Sequence, residues 1–140
     1  MIEFFDTTVL VAAMVEDEKH HEACAHALER AEDGVASVHS LAECYATLTG
    51  GRLSVQLSPA DAARLVQHNV ANRLSLVSLS AAEYARLLDA AGPVGARGGA
   101  IYDLLLLACA RKAKAEKVHT LNRRHFMALA PDLTEKIVTP

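Results

Sequence analysis

Five short segments rich in β-branched and aromatic residues recur along the chain, and stretches rich in Ala and Leu separate them. The segments are Ile2–Phe5, Val35–Val38, Leu76–Leu79, Lys117–Thr120 and Lys136–Val138. Segments of this length and composition are typical of strands, whereas Ala and Leu are strong helix formers. Because strands that alternate with helices usually form a parallel sheet covered by helices, the pattern predicts an α/β fold with a mostly parallel, buried sheet.

Helix boundaries are marked by local signals. Ser58 and Ser80 each precede an acid by three residues, which is the pattern of an N-cap with a supporting acid in the first turn. Gly34, Gly50 and Gly92 are predicted to end helices. The segment 92–99 is the richest in Gly and Pro, and it is predicted to be a loop.

The length of 140 residues predicts a single domain that spans residues 1–140. The longest uninterrupted apolar run covers only residues 104–110, so no membrane-spanning segment is expected. The three cysteines at positions 24, 44 and 109 form no CxxC pair, which favours a reducing cytoplasm. The net charge of -3 argues against a protein that coats nucleic acid by charge alone, but it permits an enzyme that acts on nucleic acid.

Two carboxylates follow the first and second predicted strands. Asp6 comes directly after the first strand, where it either caps the next helix or points into the crevice beyond the sheet. Glu43 lies three residues after Ser40, and this spacing, taken alone, favours a capping box.

Three further polar residues belong to the later part of the chain. Asp103 lies in an apolar helical segment, where an acid is expensive to bury unless it is paired or bound to a metal. The alternative is a solvent-facing acid stabilised by the helix dipole. Thr120 ends the fourth predicted strand and Asn122 follows it, and a strand-to-helix cap alone explains such a pair in most proteins.

Taken together, these motifs resemble the PIN-domain nucleases, and within them the VapC-like toxins of bacterial toxin–antitoxin pairs. The resemblance covers essentially the whole chain in order and spacing. It rests on Phe5-Asp6-Thr7-Thr8-Val9-Leu10, Leu41-Ala42-Glu43, Tyr102-Asp103 with Ala108, and Thr120-Leu121-Asn122-Arg123-Arg124-His125-Phe126.

The resemblance implies a three-layer α/β/α sandwich with a sheet of about five strands and a ribonuclease site that uses Mg²⁺ or Mn²⁺. By match, Asp6, Glu43 and Asp103 would form the acidic metal cluster. Thr120 would support the metal's water shell. Asn122 occupies the place of a frequent fourth catalytic acid, and His125 stands where many members have Asp. Three carboxylates from distant segments suit Mg²⁺, which prefers oxygen ligands.

Partners follow from the same resemblance. RNA is the expected substrate, and Arg97, Arg123 and Arg124 are candidate contacts to its phosphates, although each is equally compatible with ordinary solvated surface. A cognate antitoxin and a homodimer are expected. The antitoxin groove is predicted between residues 7–15 and 41–48. The alternatives are a PIN-like module that binds RNA or protein without cleavage, and a housekeeping PIN nuclease.

Overall fold

Five parallel strands form the central sheet of the computed structural model, which describes residues 1–54 and 56–140. The strands are β1 (Ile2–Phe5), β2 (Asp33–Ser37), β3 (Ser75–Val77), β4 (Lys117–His119) and β5 (Ile137–Val138). They lie in the order β3-β2-β1-β4-β5, and every neighbouring pair is parallel. The predicted parallel sheet and all five of its segments are therefore confirmed.

The ends of β1 are as predicted, and the ends of the other strands differ from the prediction by at most two residues. Val38 was expected in the second strand but begins a helix, because Ser37 caps that helix by accepting a hydrogen bond from the backbone N–H of His39. Thr120 was expected in the fourth strand but lies just beyond β4. Its hydroxyl donates to the carboxylate of Asp6 beyond β1 and accepts from the backbone N–H of Asn122 in the following turn.

Within the described residues, seven α-helices surround the sheet. They are α1 (Thr7–Met14), α2 (His21–Arg30), α3 (Val38–Thr49), α4 (Pro59–Val66), α5 (Ala81–Ala91), α6 (Ala100–Lys112) and α7 (Arg123–Leu129). A π-helical turn at Gln67–Ala71 extends α4, and a 3₁₀ turn at Pro131–Leu133 follows α7. Ser58 caps α4, and Ser80 forms a capping box with Glu83 at α5, as predicted.

The two faces of the sheet carry separate cores. Phe4 and Phe5 are adjacent in β1 and point to opposite faces, as successive strand residues must. Phe5 packs with buried residues of α1 to α4, whereas Phe4 packs with buried residues of α5, α6 and α7. This arrangement confirms the three-layer α/β/α sandwich.

Gly34 does not end a helix, contrary to the prediction, but lies inside β2. A Cβ atom at this position would lie 2.5 Å from Cδ2 of Leu74. A larger residue at this position would therefore require the Leu74 side chain to shift. By contrast, Gly50 and Gly92 do follow the last residues of α3 and α5.

The direction in which strands are added to the sheet reverses at β1. From β1 the chain adds β2 and β3 on one side, then crosses back to add β4 and β5 on the other. The carboxyl ends of β1 and β4 are joined where the backbone N–H of Asp6 donates to the carbonyl oxygen of His119 at 3.0 Å. Crevices at such a reversal are the usual ligand sites of open parallel sheets.

None of the helices found in residues 1–54 and 56–140 is both long enough and apolar enough to cross a bilayer.

Candidate active site

Asp6 is both a helix cap and a buried acid of the crevice. It is only 1% exposed, and its Oδ1 accepts hydrogen bonds from the Thr8 hydroxyl at 2.6 Å and from the backbone N–H of Val9 at 3.0 Å. Its Oδ2 accepts from the Thr120 hydroxyl at 2.6 Å. The sequence left open whether Asp6 caps the next helix or points into the crevice, and the side chain does both.

The two hydroxyls that contact Asp6 are oriented by the backbone. The N–H of Leu121 donates to Thr8 Oγ1 at 3.1 Å, and the N–H of Asn122 donates to Thr120 Oγ1 at 2.9 Å. Because a hydroxyl has one proton, each threonine then directs that proton towards the carboxylate. The charged form of Asp6 is stabilised on both oxygens.

Burial nevertheless dominates the titration of Asp6. Removal from water raises the pKa of this carboxyl from 3.8 to about 6, although the hydrogen bonds from Thr120, Thr8 and Val9 act in the opposite direction. The negative charge of Asp103 adds to the increase. Asp6 is thus an acid whose charge lacks a sufficient positive partner in the protein itself.

Glu43 is held by the first turn of α1. Its Oε1 accepts from the Thr7 hydroxyl at 3.0 Å and lies 3.5 Å from Nε2 of His39, one turn earlier in α3. The Thr7 hydroxyl also contacts Ser40 Oγ at 2.9 Å. The capping box suggested by the Ser40–Glu43 spacing is therefore wrong. The helix begins three residues earlier than that box requires, and Ser40 is buried against α1 instead.

Asp103 lies in the first turn of α6, half-buried beside α7. Burial raises the pKa of its carboxyl, and the nearby His125 acts against that increase. Nε2 of His125 is 3.1 Å from Oδ2 of Asp103. The alternative of a fully solvent-facing acid does not hold, although the position in the first turn does favour a negative charge.

All three predicted acids line one cavity of about 400 Å³ at the carboxyl edge of the sheet. A fourth acid, Glu18, lines the same cavity from the segment between α1 and α2. It was not predicted from the sequence. Nothing in the local sequence around Glu18 distinguishes it from other surface acids. Within residues 1–54 and 56–140, no three His, Cys, Asp or Glu side chains converge closely enough to form a ready-made metal cage.

The remaining predicted residues lie outside the cavity lining. Asn122 is exposed at the N-terminus of α7, and its side chain makes no capping hydrogen bond. Arg97 and Arg124 are also exposed. Arg123 donates from Nε to the carbonyl oxygen of Ile137 at 2.9 Å, so part of its hydrogen-bonding capacity is used within the fold.

The role of Thr120 can be measured directly. Thr120→Val keeps the shape of the side chain but removes the donor to Asp6 and the acceptor for the Asn122 N–H. We expect the pKa of Asp6 to rise further and the free energy of unfolding at pH 8 to fall by about 1–3 kcal/mol. Carboxyl NMR titration and denaturant unfolding measure the two effects.

Thr134→Val is the matched control, because the Thr134 hydroxyl donates only to the Pro131 carbonyl in an exposed turn. It is expected to leave the pKa of Asp6 unchanged. If Thr120→Val also leaves that pKa unchanged, the hydroxyl does not support the carboxylate.

Comparison with known proteins gives consistent results for sequence and fold. Residues 4–130 match the family model of the PIN domain. The ribonuclease VapC27 of Mycobacterium tuberculosis is 32% identical over 111 residues, which cover 79% of this chain and 78% of that protein.

Among solved structures, VapC20 of Mycobacterium tuberculosis, a toxin that cleaves the sarcin–ricin loop, superposes with a TM-score of 0.67 at 14% identity. The match covers 83% of this chain and 86% of VapC20. VapBC-1 of nontypeable Haemophilus influenzae superposes with a TM-score of 0.65 at 17% identity, over 94% of both chains. These two structures share the fold.

Proposed function

The chain belongs to the PIN-domain family, and from that premise we propose that it is a divalent-cation-dependent endoribonuclease, the toxin of a toxin–antitoxin pair. The observation that carries the proposal is the cavity at the reversal point of the sheet. Asp6, Glu43 and Asp103 come from three separate elements, and all three line it. The curated relative named as a ribonuclease supports the reaction class.

The donor chemistry of the cavity fits a hard divalent cation. Both Asp6 and Asp103 have raised pKa values, chiefly because burial penalises their charged forms, and Asp103 contributes to the increase at Asp6. A cation between the carboxylates would relieve both effects. Asp6 Oδ1 already accepts two hydrogen bonds, whereas Oδ2 accepts one and so keeps a free lone pair.

We assign the residues of the site as follows. Asp6 and Asp103 hold the cation directly, and Glu43, which Thr7 keeps at the side of the cavity, acts through a water molecule. Mg²⁺ and Mn²⁺ fit this assignment, because Mg²⁺ binds through one or two carboxylates and retains several waters. When bound, the ion lowers the pKa of a water and offsets the charge that develops on the phosphate.

The other predicted residues act on the substrate and the site's periphery. Thr120 orients the carboxylate of Asp6 and stabilises its charged form through the 2.6 Å hydrogen bond. Arg97, Arg123 and Arg124 contact phosphates that flank the cleaved bond, with Arg123 the least available because it also bonds to Ile137. Asn122 contributes through its backbone N–H to Thr120, and its exposed side chain extends the site towards RNA.

We also propose that an antitoxin and a second copy of the chain bind this protein in the cytoplasm. The support from the molecule itself is a set of large apolar side chains exposed to solvent. Val38 and Tyr45 are exposed on α3, and the exposed Tyr102 of α6 stacks on His39 of the same α3 helix. Apolar side chains exposed on neighbouring elements mark protein interaction sites.

The cation requirement provides the direct test. Purified protein is incubated with a structured RNA in EDTA, and then with excess Mg²⁺, Mn²⁺ or Ca²⁺. We expect cleavage with Mg²⁺ or Mn²⁺, no cleavage in EDTA, and weak cleavage with Ca²⁺, whose flexible coordination is a poor match for the reaction. Cleavage that persists in EDTA would contradict the proposal, as would RNA that binds but stays intact under every condition.

A further inference from the structure

A histidine stands against one of the proposed cation ligands. His125 is the third residue of α7, and its Nε2 lies 3.1 Å from Oδ2 of Asp103 in the first turn of α6. The imidazole is partly open to solvent, with 43% of the side chain exposed. The contact joins two helices that are consecutive in the chain and pack against each other.

We propose that His125 supplies a nitrogen ligand beside the Asp103 oxygen, so that the site takes a first-row transition ion in preference to Mg²⁺. The inference rests on the proposed function, because it concerns the cation of that same site. It extends that function because His125, which is not one of the acidic ligands, would determine the class of cation that the site prefers.

The spacing of the two atoms matches adjacent ligands of one ion. Donors about 2.1 Å from an octahedral ion, and at right angles to each other, lie about 3.0 Å apart. Nε2 of His125 and Oδ2 of Asp103 are separated by 3.1 Å. The two donor atoms are therefore already separated by about the distance that an ion bound by both would require.

The identity of the donors favours a transition ion. Mg²⁺ requires oxygen ligands, whereas imidazole nitrogen binds first-row transition ions well and carboxylates suit Mn²⁺. A site in which Asp103 supplies a carboxylate oxygen and His125 an imidazole nitrogen is thus mixed in character. Mn²⁺ is the convenient probe of that class, because it is paramagnetic.

A second histidine provides an internal control. His39 lies 3.5 Å from Glu43 through its Nε2, and its ring stacks on Tyr102 with centroids 5.2 Å apart. The Glu43 oxygen that it faces already accepts a hydrogen bond from Thr7. His39 is therefore held outside the cation position, and its replacement should leave the nitrogen ligation intact.

The experiment measures nitrogen ligation in the full chain without reference to cleavage. Mn²⁺ is bound to the wild type, His125→Gln, His39→Gln and Asp6→Asn, and electron spin-echo envelope modulation detects ¹⁴N coupling to the ion. Competition between Mn²⁺ and Mg²⁺, followed by the free Mn²⁺ signal, gives the preference. Gln is chosen because its side-chain carbonyl offers an oxygen in place of the imidazole nitrogen.

We expect ¹⁴N coupling in the wild type and in His39→Gln, and its loss in His125→Gln. The preference for Mn²⁺ over Mg²⁺ should fall by roughly 10- to 100-fold in His125→Gln, the range typical when a group that supports a bound metal is lost. If the wild type binds Mn²⁺ without ¹⁴N coupling, and Asp6→Asn loses that binding, the inference is overturned and the proposed function stays intact. If Asp6→Asn binds Mn²⁺ as tightly as the wild type, the proposed cation site itself is wrong.

Discussion

Replacement of Asp6 by Asn is expected to reduce cation-dependent RNA cleavage by at least roughly 10²- to 10³-fold, the loss typical when one preorganised electrostatic group is removed. The amide keeps nearly the same shape, and its oxygen can still accept from the Val9 N–H and the Thr8 hydroxyl. The cap of α1 is thereby retained. What disappears is the buried negative charge that the proposed cation requires.

Asp89→Asn is the matched control. Asp89 is exposed on α5, which packs against the opposite face of the sheet, so the same chemical change there should leave the cleavage rate unchanged. Gel-based cleavage rates with Mn²⁺ are compared for the three proteins, and thermal melts verify that each is folded. An Asp6→Asn protein that cleaves at the wild-type rate would contradict the assigned site.

The sheet and the place of Asp6 at its carboxyl edge were predictable because the sequence signals for both are local. Short β-branched and aromatic segments between Ala- and Leu-rich stretches specify the α/β alternation, and the caps at Ser58 and Ser80 lie within four residues of the groups they bind. The position of Asp6 directly after the first strand was sufficient to place it at the carboxyl edge. In each case the relevant partners are near in sequence.

The sequence was misleading wherever a distant partner decides the outcome. Ser40 and Glu43 have capping-box spacing, yet both bind Thr7, which lies more than 30 residues away in the sequence. Gly34 looks like the end of a helix, but it lies inside β2, where the Leu74 side chain packs against it. Glu18 reaches the cavity only because α1 and α2 pack closely together. Tertiary contacts of this kind leave no local pattern.

Asp6 also shows how a capping residue can be destabilising. Its hydrogen bonds with Val9, Thr8 and Thr120 support the fold, but burial holds its pKa near 6, so in the metal-free protein its charge opposes folding at neutral pH. A residue retained only as a cap would gain by being Asn, which caps as well as Asp without a charge to desolvate. The buried charge is what the proposed cation site requires, because a bound cation would compensate it.

The contribution of Asp6 to the stability of the metal-free protein is accordingly expected to become unfavourable as the pH rises from about 4 to about 6. The pKa of Asp6 is about 6 in the folded protein, against about 3.9 for an unperturbed Asp in the unfolded chain. Below pH 4 both states are protonated and no penalty exists. Between the two pKa values only the folded state keeps the proton, so stability falls with pH, and above pH 6 the full penalty of about 3 kcal/mol is present.

Other carboxyls act in the opposite direction, so a difference between two proteins is needed. Hydrogen bonds from Lys112 and Arg111 lower the pKa values of Glu83 and Asp132, and those groups add stability as the pH rises. Unfolding of the wild type and of Asp6→Asn is therefore measured in EDTA from pH 4 to pH 8, and the free energies are subtracted. Any constant effect of the amide on the hydrogen bonds cancels in the slope.

The wild type should lose about 3 kcal/mol relative to Asp6→Asn across this interval, or roughly 10 °C in melting temperature for a domain of this size. Addition of Mn²⁺ at pH 8 should restore the wild type but not the variant, because only the ionised carboxylate gains the cation. At a hundredfold excess over its dissociation constant, the ion contributes about 2.7 kcal/mol, close to the penalty it offsets. A difference curve that is flat, or that rises with pH, would show that Asp6 is an ordinary helix cap whose charge the fold already accommodates.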